Sequence, residues 1–281
     1  MKIDIQAIVT ERIISALESG TAPWRKPWKG SSLPRNVVSG KVYSGINFFL
    51  LSAMGGGEFL TFKQAQGLGG NVRKGEKGCP VVYWNFVESK TRKDSKGNPE
   101  KIPFLKSFTV FNVSQCEGLE LPAPETEGET VPFIPIERAE ETITRTGAEI
   151  HHGGARAFYR PATDQIQMPE KEAFHSPEEY YSTAFHELTH WTGHESRLAR
   201  KGILELAAFG DAVYSKEELV AEMGAAFLCA EHGIEGTLDN SAAYLQGWIK
   251  ALRGDSKLAI QAAAAASKAA NFILGKTNSE A

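Results

Sequence analysis

Cysteine is scarce in this sequence: Cys79, Cys116 and Cys229 are the whole set in 281 residues. They are odd in number, far apart and in no paired motif. That excludes a disulfide framework and a cysteine-held zinc site, and it fits a reducing compartment. Long apolar runs are missing too, and with them the roughly eighteen-residue stretch that a membrane helix needs. The opening segment MKIDIQAIVTERII lacks the basic, apolar and small-residue order of a secretory leader, so the chain is expected in the cytoplasm with no membrane partner. Phosphate-cradling loops are absent as well. Gly55-Gly56-Gly57 and Gly69-Gly70 have no strand-turn-helix context and there is no Walker loop, so no nucleotide cofactor is expected. Neither half carries a carboxylate cluster suited to two magnesium ions and a phosphodiester, which weighs against a nuclease or primase.

Hydrophobic residues at 42% and charged residues at 23% describe a chain able to build a real core. Its net charge of -3 conceals a division. Residues 1–116 hold 17 Lys and Arg against 8 Asp and Glu, a net of +9; the remainder holds 14 against 26, a net of -12. A basic front half beside an acidic back half points to a polyanionic partner for the first and a different task for the second. The stretch 119–135 is acidic, proline-rich and aperiodic, and reads as a linker. The expected organisation is therefore 1–118, linker 119–135, and 136–281.

Both parts read as α+β. In the front, a helix over about 4–19 precedes two strand-like runs, VVYWNFVES and PFLKSFTVFNV, which flank the charged stretch TRKDSKGNPEK as a hairpin. In the back, a short helix (about 136–147) leads to the strand candidates AEIHHG, ARAFYRP and DQIQMP. A long helix from Pro177 to about Gly193 follows, with Ser176 as N-cap, then a helix carrying KEELVAEMGAAFLCAEHG, then a helical region over about 240–274.

The chemistry concentrates in His186-Glu187-Leu188-Thr189-His190. Histidines four apart on a helix share a face and reach one ion, while Glu187 stands next to the first of them as the base for a water on that ion. Zinc suits this donor set, with Mn2+ or a similar divalent transition ion as the alternative. A second helix offers Glu218 and Glu222, again four apart. We assign Glu218 as third ligand and Glu222 as the carboxylate that holds a ligating imidazole in its tautomer; spacing alone leaves the reverse open. The longer pattern with a third histidine does not fit, because Gly193 is followed at once by His194 and the expected position is Ser196. His194 reads as a rim residue or a helix C-terminal cation rather than a ligand. Tyr214, four before Glu218, is a candidate oxyanion donor, and DQIQMP is expected to be an edge strand able to receive a peptide substrate.

In the front half, aromatic residues alternate with cations: Trp24, Arg25, Lys26 and Trp28 in PWRKPW; then Arg35, Lys41 and Tyr43; then Arg73, Lys74 and Lys77; then Trp84. Rings stack on bases and cations follow phosphates, so the mixture suits a sequence-tolerant binder of single strands.

Taken together, PWRKPW, GKVYSGINFFLL, LTFKQAQGLGGNVRKGEKGCPVVYW and FTVFNVSQC resemble the N-terminal domain of ArdC-type antirestriction proteins of mobile elements. RAFYRPATDQIQMP, YYSTAFHELTHWTGHESRL and EELVAEMGAAFL resemble the zincin-like metallopeptidase domain of the same family. The resemblance spans essentially the whole chain. It implies a single-stranded-DNA-binding domain joined to a metallopeptidase fold, with His186, His190 and a glutamate of EELVAE as ligands and Glu187 as base. It also implies protection of incoming DNA from restriction. The expected function is a zinc-dependent peptidase acting on DNA-associated proteins; the alternative is a non-catalytic protein that shields DNA and carries a structural metal.

Overall fold

Alternation in VVYW and in FTVFN calls for paired strands, and a long hairpin forms. β4 (Cys79–Lys93) runs antiparallel to β5 (Pro99–Asn112), with Cys79 opposite Val110, Val81 opposite Phe108 and Tyr83 opposite Lys106. The computed structural model describes residues 5–18, 33–52, 54, 56–93, 99–121, 135–204, 212–234 and 242–276, and for 5–6, 84–93, 99–105, 135–136, 212–215 and 242–246 the backbone alone. β2 (Glu58–Thr61) pairs antiparallel with β5, and β1 (Arg35–Asn36) lies parallel to β2, giving the order β1-β2-β5-β4. The edge strand β4 is partly closed by a side chain. Asn47, on α2 (Ile46–Ser52), donates to Val82 O and accepts from Val82 N, both at 2.7 Å. An amide used in this way occupies the outward backbone groups that would otherwise template another strand.

α1 (Ile5–Glu18) buries Val9, Ile13 and Leu17, one apolar stripe at helical spacing. α3 (Phe62–Gly67) opens on a capping box between Thr61 and Gln64. The short β3 (Asn71–Val72) and β6 (Cys116–Glu117) form a separate two-stranded ladder. A side chain at Gly70 would stand 2.4 Å from Glu117 O, so glycine is what lets the two segments meet.

In the back half, α4 (Pro135–Thr146) precedes a three-stranded sheet of β7 (Glu149–His152), β8 (Phe158–Arg160) and β9 (Gln165–Met168). The expectation for DQIQMP fails here. β9 is the central strand, parallel to β7 and antiparallel to β8, with Ile166 and Met168 fully buried. Its alternating polarity reports a sheet with one wetter face, which a central strand satisfies as well as an edge. Four helices follow: α5 (Pro177–Trp191), the single turn α6 (Lys201–Leu204), α7 (Ala212–Glu231) and α8 (Ala242–Gly254), with α9 (Leu258–Leu274) closing the fold. The helical region expected over 240–274 is thus two helices. The break falls where the Asp255 carboxylate accepts from Lys257 N at 2.8 Å.

The apolar core crosses the middle of the chain. Val9, Ile13, Phe48 and Phe49 from the front half share one cluster with Leu219, Met223, Trp248 and Ala262 from the back. Phe227 of α7 sits 4.7 Å, centroid to centroid, from both Phe48 and Phe49. A second cluster joins α4, β9 and α5 through Ile143, Ile166, Tyr181, Phe185 and Leu188. α7 lies between the two, giving Leu219 and Met223 to the first and Ala225 and Leu228 to the second.

Candidate metal centre

α5 begins as its residues dictate: Ser176 caps it by accepting from Glu179 N at 3.3 Å, Pro177 takes the first helical position, and Glu178 and Glu179 oppose the positive end of the helix dipole. Its far end is clamped by Arg197. That guanidinium donates to Trp191 O at 2.7 Å, stacks 3.8 Å over the Trp191 ring and pairs with Asp164 in the turn between β8 and β9. Between these ends, Tyr181, Phe185 and Leu188 enter the core while His186 and His190 face α7.

The two helices cross at unusually short range. A Cβ placed on Gly224 would fall 2.5 Å from Thr189 Oγ1 and Cγ2, so only glycine permits the approach. It brings Glu218 against both histidines: Oε2 is 3.7 Å from His186 Nε2 and Oε1 is 3.5 Å from His190 Nε2. The two Nε2 atoms are 3.1 Å apart. All three donor atoms lie within 4.8 Å of one another, the grouping among the described residues that could hold a metal ion. Donors about 2.0–2.1 Å from one tetrahedral ion stand roughly 3.3–3.4 Å apart, close to the separations found here.

Carboxylates lie behind the rings. Glu222 Oε1 is 4.0 Å from His186 Nδ1, and Glu217 Oε1 is 3.4 Å from His190 Nδ1. A proton on His190 Nδ1, held by Glu217, leaves the Nε2 lone pair of that ring directed toward His186 Nε2 and Glu218, while Glu222 acts on His186 through its charge; a cation between the two Nε2 atoms suits this arrangement. The electrostatics agree. Burial disfavours charge on His186, yet the hydrogen bond to Glu218 and the charges of Glu222, Glu187 and Glu218 outweigh it and push its pKa up to about 9. Glu187 is buried next to His186.

Glu217 and Arg200 have no counterpart among the residues expected from the sequence. Arg200 donates to Glu217 from Nε at 3.1 Å and from a terminal nitrogen at 2.6 Å, and also reaches Thr192 Oγ1 at 2.7 Å and Thr189 O at 2.6 Å. Burial alone would raise the Glu217 pKa, but hydrogen bonds from His190 and Arg200, with the Arg200 charge, hold it below the usual carboxylate range. The one trace of Glu217 in the sequence is an acid immediately before Glu218 in a helix with apolar neighbours, and nothing in that spacing ties it to His190. His194 lies outside the cluster, its Nδ1 2.9 Å from Ser196 Oγ. Tyr214 falls within α7, but its side chain lies outside the described residues.

Of the front-half candidates, Trp24, Arg25, Lys26 and Trp28 lie outside the described residues, as does the side chain of Trp84. Lys41, Arg73, Lys74 and Lys77 are exposed, and Arg35 is half-buried on β1. Arg73 pairs with Glu76 at 3.0 Å. Tyr43 is turned inward: it meets Phe59 edge-on at 6.5 Å, its hydroxyl accepts from Asn36 at 3.3 Å, and burial raises its pKa.

Two family models match the chain: the N-terminal domain of the anti-restriction factor ArdC over residues 3–111, and a zincin-like metallopeptidase over residues 137–266. Among solved structures, it is similar to the metal-free antirestriction protein ArdC of plasmid R388, at 40% identity and a TM-score of 0.78, covering 97% of each chain. The Mn(II)-bound form of that protein aligns at 39% identity and a TM-score of 0.77, over 97% of this chain and 98% of the other. Two DNA primases TraC of Escherichia coli are 44% and 42% identical over 95% of this chain, which spans 26% and 20% of their lengths. An uncharacterized protein of Sinorhizobium fredii, y4eC, is 36% identical over 96% of this chain and 91% of its own length.

Proposed function

This chain belongs to the ArdC family of antirestriction proteins, and from that premise we propose that it is a DNA-tethered metallopeptidase, gripping single-stranded DNA with its front half and hydrolysing proteins on the same DNA with its back half. The observation that carries the reading is the convergence of His186, His190 and Glu218 on one point with Glu187 beside it. In this reading the three residues hold zinc, or Mn2+ in its place; the relative from plasmid R388 takes Mn(II). Bound there, such an ion supplies Lewis acidity, polarising a peptide carbonyl and lowering the pKa of water toward about 7.

The chain's own residues do the rest. Glu187 accepts the proton of the attacking water and later delivers it to the leaving amine. Glu222 and Glu217 keep His186 and His190 in the tautomer that presents Nε2, and Arg200 keeps Glu217 ionised and in place. Tyr214 is the proposed donor to the carbonyl oxygen. Tethering raises the local concentration of DNA-bound substrate, so a modest peptidase suffices. Among the described residues no helix is long and apolar enough to cross a membrane, and we place the activity in the cytoplasm.

The decisive assay measures cleavage of a DNA-bound protein with and without single-stranded DNA. Glu187→Gln is expected to keep metal and DNA affinity and to lose about 10²-fold or more in cleavage rate. Equal rates for parent and variant, or no cleavage by the parent with either ion, would sink the peptidase. In the latter case, loss of folding and of DNA affinity in parallel on chelation would favour the DNA-shielding protein with a structural metal.

A further inference from the structure

We propose that the open face of the β4–β5 hairpin, where Phe108 and Tyr83 stand between Lys63 and Lys106, is a base-stacking platform for one strand of nucleic acid. This rests on the reading that the front half binds single strands, and it assigns that task to residues other than the tryptophans of PWRKPW.

The ladder is apolar beyond the reach of its core. Cys79 and its partner Val110 are buried, and so is Val81, but Phe108 opposite Val81 is 49% exposed and Tyr83, one step further along the same face, is 59% exposed. Diagonal neighbours on an antiparallel face lie about 7–8 Å apart, within reach of each other's large side chains. Two adjacent rings left open to water lose the burial that their neighbours gain, and a contiguous exposed apolar patch is a recurrent mark of a binding surface. Phe108 is also one wall of a hollow of about 610 Å³ shared with Val38, Lys63, Gln64 and Leu68. That volume is within the usual range for a small-molecule site, roughly 300–1,000 Å³, and so admits a flat base.

Charge selects the occupant. No carboxylate lines the hollow among the described residues, and Lys63 on its rim and Lys106 opposite Tyr83 are exposed in a half whose net charge is +9. Exposed π-faces flanked by lysines match stacked bases joined by phosphates. Directional groups able to read a base edge are already engaged: Gln64 is hydrogen-bonded to Thr61 N at 2.8 Å and to Asn36 at 3.1 Å. The platform therefore stacks without discriminating between bases.

The test is fluorescence anisotropy of the full chain with a labelled oligothymidine and with an abasic strand of the same length. The parent is expected to prefer the strand with bases. Phe108→Ala and Tyr83→Ala, both at exposed positions, are each expected to weaken oligothymidine binding about 5- to 100-fold, to shrink that preference, and to leave the thermal midpoint unchanged. Phe108→Trp should restore affinity, and Lys63→Ala should reduce the slope of log affinity against log salt by about 0.7. If the parent binds both strands equally, or the alanine variants bind within about twofold of it, the platform is wrong while the single-strand reading stands. If the parent binds neither strand, both fall. A change in sedimentation with unchanged strand affinity in Phe108→Ala would make the patch an interface between copies of the chain and overturn the proposal.

Discussion

Arg200 touches none of the three candidate ligands, yet it governs the charge behind one of them. Its guanidinium is what allows Glu217 to stay ionised while buried beside His190. Arg200→Met leaves that carboxylate without its main partner, and a buried charge stripped in this way costs about 3–5 kcal/mol. We expect denaturant unfolding to show that loss, and a metal titration to show affinity lower by about 10- to 100-fold, because the His190 ring is no longer held. Glu217→Gln should recover most of the stability and little of the metal affinity. A metal affinity unchanged in both variants would remove Glu217 from the site. At this scale the histidine spacing was readable because a helix places i and i+4 on one face. Glu217 was not, since it lies about 100° round α7 from Glu218, and only the second nitrogen of His190 reaches it. Arg200 arrives from an aperiodic loop, so nothing in the sequence tied it to α7.

Two helices, rather than a string of residues, fix the distance between the donors. The contact of Thr189 with Gly224 sets how closely α5 approaches α7; Thr189 stands three residues after His186 and immediately before His190, and Gly224 stands two residues after Glu222. Gly224→Ala improves helix propensity but forces the backbones apart. Overpacking of this kind costs about 1–3 kcal/mol, and we expect it to weaken metal binding as well, because Glu218 moves away with its helix. Combining it with Thr189→Ala should recover part of both losses, a coupling that a double-mutant cycle measures; additive effects would show that the helices do not meet there. The start of α5 was legible from Ser176, Pro177 and the acids of its first turn, since capping is a local interaction. The rank of β9 within its sheet was not. Whether a strand is central depends on β7 pairing in parallel from across a connection, and alternation within β9 carries no record of it.

For the molecule as a whole, the charge division at the middle of the chain was evident in composition, while the packing that crosses it was not. Phe48, Phe49 and Phe227 are unremarkable apolar residues in their own segments, and only the tertiary fold makes them neighbours. Phe227→Ala is expected to lower stability by about 3 kcal/mol while unfolding, followed by probes in both halves, remains a single transition. Two separate transitions in the parent would show that the shared core does not bind the halves together.

The consequence for engineering and for inheritance is that this protein resists modular reuse. Its front half cannot be grafted onto another enzyme as a ready-made adaptor, because the graft would carry the raw faces of Phe48, Phe49 and Ile13 into water unless they were resurfaced. A longer polypeptide that incorporates this architecture must take α7 and α9 along with the basic hairpin, or invent a substitute wall for it.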